Sequence, residues 1–106
     1  MVIRYIDTEK EFEIEVQGTK CTVKQVYPQG DIIKMELARK EWVGTGDDEP
    51  LQSLINIMLP HVADISNLPE GWDIKKGLRL MAPESLVELS IILTNKSTFD
   101  EAEEKN

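Results

Sequence analysis

From Glu11 to Val16 apolar and polar residues alternate strictly, with Phe12, Ile14 and Val16 on one side and Glu11, Glu13 and Glu15 on the other. That period of two predicts a strand with one wet face. Gln17-Gly18-Thr19-Lys20 follows, and a glycine at the first central position predicts a two-residue type II′ hairpin. Its register sets Val16 against Cys21 and Ile14 against Val23 on the inner side, with Glu15 against Thr22 and Glu13 against Lys24 outside. Tyr27-Pro28-Gln29-Gly30-Asp31 predicts a second reversal. Ile33 to Leu37 alternates again, which predicts a third strand placing Met35 and Leu37 over Val23 and Cys21. Val2 to Ile6, with Ile3 and Tyr5, predicts a fourth.

The pattern changes after Gly44-Thr45-Gly46. Leu51, Leu54, Ile55 and Met58 recur at helical spacing, so a helix is predicted from about Glu49 to Leu59, with Asp48 as its N-cap and Pro60 at its end. His61 to Asn67 extends it by a further turn or two. Leu68 to Met81, broken by Pro69, Gly71 and Gly77, reads as mostly irregular. Pro83 in a first helical position and Glu84 behind it open a second helix through about Asn95. Leu86, Leu89, Ile92 and Leu93 form its main stripe, and Val87 and Ile91 widen it, so that the helix either lies across the sheet with a neighbour beside it or leaves a strip for another chain. The sum is an α+β fold: an N-terminal antiparallel meander of three to four strands packed against two C-terminal helices. It forms a single domain over residues 1–106, divided into a strand-rich half (1–43), a connector (44–49), a helical half (50–96) and an acidic tail (97–106).

Charge adds an asymmetry. The 106 residues carry a net charge of −8, which repels nucleic acid and anionic membrane surfaces. Residues 1–46 hold seven basic and eight acidic residues, and residues 47–106 hold five and twelve, so the acidity belongs to the second half. With one cysteine and one histidine, neither an intramolecular disulfide nor a Cys/His zinc site can be assembled. The apolar runs are far shorter than the ~20 residues that span a bilayer, and the first residues lack the apolar run of a signal peptide. A cytoplasmic protein is expected.

Candidate chemistry is sparse. Gly44 and Gly46 precede a helix start, but Asp47, Asp48 and Glu49 stand where a phosphate loop needs a lysine. Neither those acids nor Glu101, Glu103 and Glu104 follow the calcium-loop spacing. Cys21 reads as a small buried hydrophobe and His61 as a lone imidazole without a nucleophile or an orienting group. No catalytic residue, cofactor site or metal site is expected. Trp42 and Trp72 read either as caps on the core edge or as interface anchors. The bases Arg39, Lys40, Lys75, Lys76 and Arg79 lack the interleaved aromatics of RNA-binding sheets.

The second half, from residue 50 to about 106, carries Leu68-Pro69-Glu70-Gly71-Trp72, then Pro83-Glu84-Ser85-Leu86-Val87-Glu88-Leu89, then Ser97-Thr98-Phe99 and an acidic run ending Glu104-Lys105-Asn106. It resembles small proteins encoded in the structural gene clusters of tailed bacteriophages and prophages, in particular their tail-assembly group. The resemblance implies a non-enzymatic, chaperone-like accessory protein that contacts phage structural or assembly proteins in the host cytoplasm, or stays with the virion, without nucleic acid or membrane as partner. Trp72, Val87, Ile91 and Phe99 are the expected partner-binding residues, and a homo-oligomer is compatible with the apolar strip. A second reading is an acidic inhibitor covering a basic surface of a host defence protein.

Overall fold

The computed structural model describes residue 3, residues 9–26 and residues 29–95. Among these, an antiparallel sheet of three strands is joined by four α-helices, a mixed α+β architecture. The elements are β1 (Glu11–Val16), β2 (Thr19–Lys24), α1 (Gln29–Thr45), α2 (Asp48–Met58), β3 (Val62–Ile65), α3 (Ile74–Leu80) and α4 (Pro83–Thr94), with a 3-10 turn at Leu59–His61 before β3. Strand order is β1-β2-β3. The segments predicted as a first strand (Val2 to Ile6) and as the acidic tail with Phe99 lie outside the described residues, apart from an exposed Ile3.

The first hairpin forms where the alternation places it, in a different register. Gln17 and Gly18 are both at positive φ, 49° and 85°, which is the type I′ turn rather than type II′. Val16 therefore faces Thr19, Ile14 faces Cys21 and Phe12 faces Val23. The shift from the expected pairing is two residues, so no side chain changes face. Phe12, Val16, Cys21 and Val23 remain inside. Outside, Lys20 reaches Glu13 at 3.5 Å and Lys24 reaches Glu9 at 3.0 Å.

The third strand is not Ile33 to Leu37. That segment lies inside α1, and β2 pairs instead with β3, Cys21 opposite Ile65 and Thr22 opposite Asp64. Five alternating residues fit either period. The helix prevails because Glu36 to Trp42 continues without a turn residue and is rich in good helix formers, and because Ile32, Met35, Ala38 and Trp42 make one inner stripe. Met35 and Ala38 are buried, Ile32 and Trp42 pack against them, and Leu37 points outward instead of over Cys21. The expected reversal at Gln29-Gly30-Asp31 is likewise the first turn of α1, with Asp31 near its positive end. The strand-rich half thus ends near Lys24, and α1 shortens the connector to Gly46 and Asp47.

Three further corrections concern the second half. The N-cap of α2 is Asp47, with extended backbone angles, rather than Asp48, whose carboxylate takes a bond from Arg79 at 2.9 Å. The stretch after Pro60 becomes strand β3 instead of more helix, its ends Val62 and Ile65 buried. The segment read as irregular contains α3, so four helices stand where two were expected. Helix α4 matches its expected span, with Pro83 in its first turn and Leu86, Leu89 and Leu93 buried.

The helices and the sheet share one core. Val23, Met35, Leu54, Met58, Leu78 and Leu89 are all fully excluded from solvent, and α1 packs against both α2 and α4. The fully buried Ser90 of α4 is satisfied there: its hydroxyl donates to the Val87 carbonyl at 2.7 Å and accepts from Arg39 of α1 at 3.4 Å.

Candidate protein-binding site

A cleft of about 240 Å³ opens where β3 hands over to α3. Local sequence builds it. After β3, Leu68 donates its backbone N–H to Ile65, and Trp72 donates to the Pro69 carbonyl at 3.1 Å, closing the turn Pro69-Glu70-Gly71-Trp72. Gly71 sits at φ 84°, as the third residue of a type II turn requires. Asp73 then caps α3, accepting from the Lys76 N–H at 2.8 Å. The cap and the turn together hold Trp72 half-buried at the cleft wall, with the Lys76 ammonium 5.0 Å from its ring centroid.

The other walls are mainly apolar, Ile65, Leu68, Pro69, Leu80 and Met81, with the polar Asn67 among them. Leu80 is 58% exposed. Gly77 makes room for Leu68, because a Cβ there would meet the Leu68 Cδ1 at 2.5 Å. A second cavity of about 160 Å³ shares Ile65, Asn67 and Met81 with the first and runs toward the hairpin. Its rim is polar: Ser85 donates to Gln17 Oε1 at 2.8 Å, and Asn67 donates to Thr19 Oγ1 at 3.2 Å. The two together form an apolar cleft with a hydrogen-bonding end, able to hold an apolar side chain and to orient the segment that carries it.

The remaining anticipated contact residues are elsewhere. Val87 and Ile91 stand one turn apart on the outer side of α4, half-buried and 46% exposed, and neither lines the cleft. Beside them, Glu88 Oε2 is the one buried side-chain oxygen without a hydrogen-bond partner among the described residues. Phe99 lies outside the described residues. Sequence reasoning missed Leu68, Leu80 and Met81. The signal for α3 was present in Asp73 as a cap and in Ile74, Leu78 and Met81 at helical spacing, but Gly77 masked it.

The residues weighed for reactivity are placed plainly. Cys21 is 2% exposed, and burial, aided by the nearby Asp64 charge, pushes its thiol pKa up and keeps it protonated. His61 is half-buried. Burial lowers its pKa, helped by Lys24 and opposed by Asp31 and by a bond to the Gln25 backbone. Among the described residues no group of three His, Cys, Asp or Glu side chains is arranged to hold a metal ion, and no helix is long and apolar enough to cross a membrane. No protein-family model, curated protein or solved structure matches this chain.

Proposed function

We propose that the protein is a non-enzymatic binding protein which takes an apolar side chain of another protein into the Trp72 cleft. The observation that carries this reading is the distribution of exposed apolar side chains. Apart from Ile3, the large apolar side chains exposed among the described residues, Ile33, Leu37, Val43, Leu80 and Ile91, sit on helices, and one of them, Leu80, lines the cleft beside Trp72. A half-buried tryptophan in an apolar cleft with a polar rim is the usual composition of an interface anchor point. The resemblance of residues 50 to about 106 to tail-assembly proteins points to a phage structural or assembly protein as the partner, met in the host cytoplasm.

The test is capture by the tagged protein of tail proteins encoded beside it, repeated with Leu80→Asp. Leu80 is mostly exposed, so the substitution is expected to keep the fold, which circular dichroism checks, while it puts a charge at the cleft mouth. Capture by the parent and its loss in the variant support the reading. Capture of nothing, or capture that Leu80→Asp leaves unchanged, overturns it. Binding that survives Leu80→Asp yet collapses as salt rises transfers the function to the acidic surface and to an inhibitor of a basic protein.

A further inference from the structure

Helix α1 carries two apolar stripes. The inner one, Ile32, Met35, Ala38 and Trp42, belongs to the core. The outer one lies on the opposite side of the helix, where Ile33 and Leu37 are 57% and 61% exposed. They fall in line with Gly30, Lys40 and Gly44, so that positions 30, 33, 37, 40 and 44 repeat at alternating intervals of three and four residues. This is the spacing of a seam along which one helix packs on another.

The charges beside the seam select its occupant. One flank bears Lys34 and Glu41; on the other, Glu36 lies beside Lys40 of the seam, and among the described residues none of the four enters an ion pair. We propose that this seam pairs with the same seam of a second copy of the chain, the two α1 helices running antiparallel about a twofold axis at Leu37. In a twofold antiparallel pair each flank meets itself reversed. Lys34 of one copy then stands across from Glu41 of the other, a contact made twice, and the two Glu36 carboxylates, which come together near the axis, have the two Lys40 ammonium groups beside them. Leu37 meets its own counterpart at the centre. Gly44 leaves space for the Ile33 side chain of the second copy. Parallel helices would set Glu36 beside Glu41 and Lys40 against Lys40 and would part Lys34 from Glu41, so the charge order favours the antiparallel direction.

This surface is separate from the Trp72 cleft, and the inference stands whether or not the cleft binds a partner. A pair of 17-residue helices is about 25 Å long, which makes a small interface and hence a weak dimer, with a dissociation constant on the order of 100 µM. Sedimentation of the purified chain up to about 1 mM tests it. The expected result is a monomer–dimer equilibrium that Leu37→Glu abolishes. Lys34→Glu and Glu41→Lys should each weaken it about tenfold, since each turns two attractive contacts into repulsive ones, and the double variant should restore it. All three positions are exposed or at the helix surface, and circular dichroism confirms that each variant is folded. A monomer at every concentration, a dimer that Leu37→Glu leaves intact, or a double variant as weak as the singles overturns the proposal.

Discussion

The two exteriors of this molecule are unlike. On the outer side of the sheet, Glu11, Glu13 and Glu15 of β1 stand beside Lys20 and Lys24 of β2, and the lysines reach Glu13 and Glu9. On the helices, Ile33, Leu37, Val43, Leu80 and Ile91 remain exposed. The sheet surface is charged and locally compensated, so it has little to gain from burial. The helical surface keeps apolar area in water: its leucines and isoleucines are each about half exposed, so covering one fully is worth half of the roughly 1.5–3 kcal/mol of a whole side chain. A protein that acts by contact has its driving force on the helical side.

The largest expected effect concerns what joins the two exteriors. Leu89→Ala, at a fully buried site in α4, should cost about 3 kcal/mol in urea unfolding; a cost below about 1 kcal/mol would show that the α4 contacts do not hold the core. Next comes the cleft. Trp72→Ala should weaken partner binding by on the order of 2 kcal/mol, measured by calorimetry beside a thermal melt, whereas Glu13→Gln on the sheet exterior should leave binding unchanged. Equal losses would erase the contrast between the surfaces.

The hairpin that orders the sheet offers a smaller effect. Gly18→Ala forces a side chain to φ 85° and should cost about 1 kcal/mol, while Gln17→Gly relieves a residue at φ 49° and should be neutral or slightly stabilising.

The smallest effect concerns His61. Burial holds its pKa below the ordinary value near 6.5, so the unfolded chain takes up the proton first. The stability contributed by the neutral imidazole is therefore complete above that ordinary value and is lost as pH falls toward the folded one. His61→Gln should remove this part of the pH dependence, seen as a wild-type advantage at neutral pH that shrinks on mild acidification. An advantage that grows instead would contradict the assigned cause.

What the sequence disclosed follows from how many physical signals agreed at each place. In β1, α2 and α4 the hydrophobic period, the turn residues and the length all pointed one way, and these elements lie where the pattern puts them. At Ile33 to Leu37 a five-residue alternation competed with a longer helical stripe through Met35, Ala38 and Trp42; Met35 is inside on either reading, and the exposure of Leu37 beside the burial of Ala38 separates them. Strand β3 was hidden by its brevity, since four residues show no period and Val62 and Ile65 acquire meaning only beside β2. The cleft depended on α3, which Gly77 disguised as loop although that glycine is there to admit Leu68. Trp72 was legible as a large aromatic at the core edge, with capping and anchoring both open to it, while Leu80 was not singled out, because its exposure depends on which way α3 faces.

On the proposed reading, the helical exterior, and the Trp72 cleft above all, is the surface that meets a partner protein. A photo-crosslinking side chain placed at Leu80 and, separately, at Glu13 tests this directly in cells that produce the protein together with candidate tail proteins. Crosslinks to a tail protein from position 80 and none from position 13 are the predicted result. Crosslinks from position 13 with none from position 80 would contradict the account.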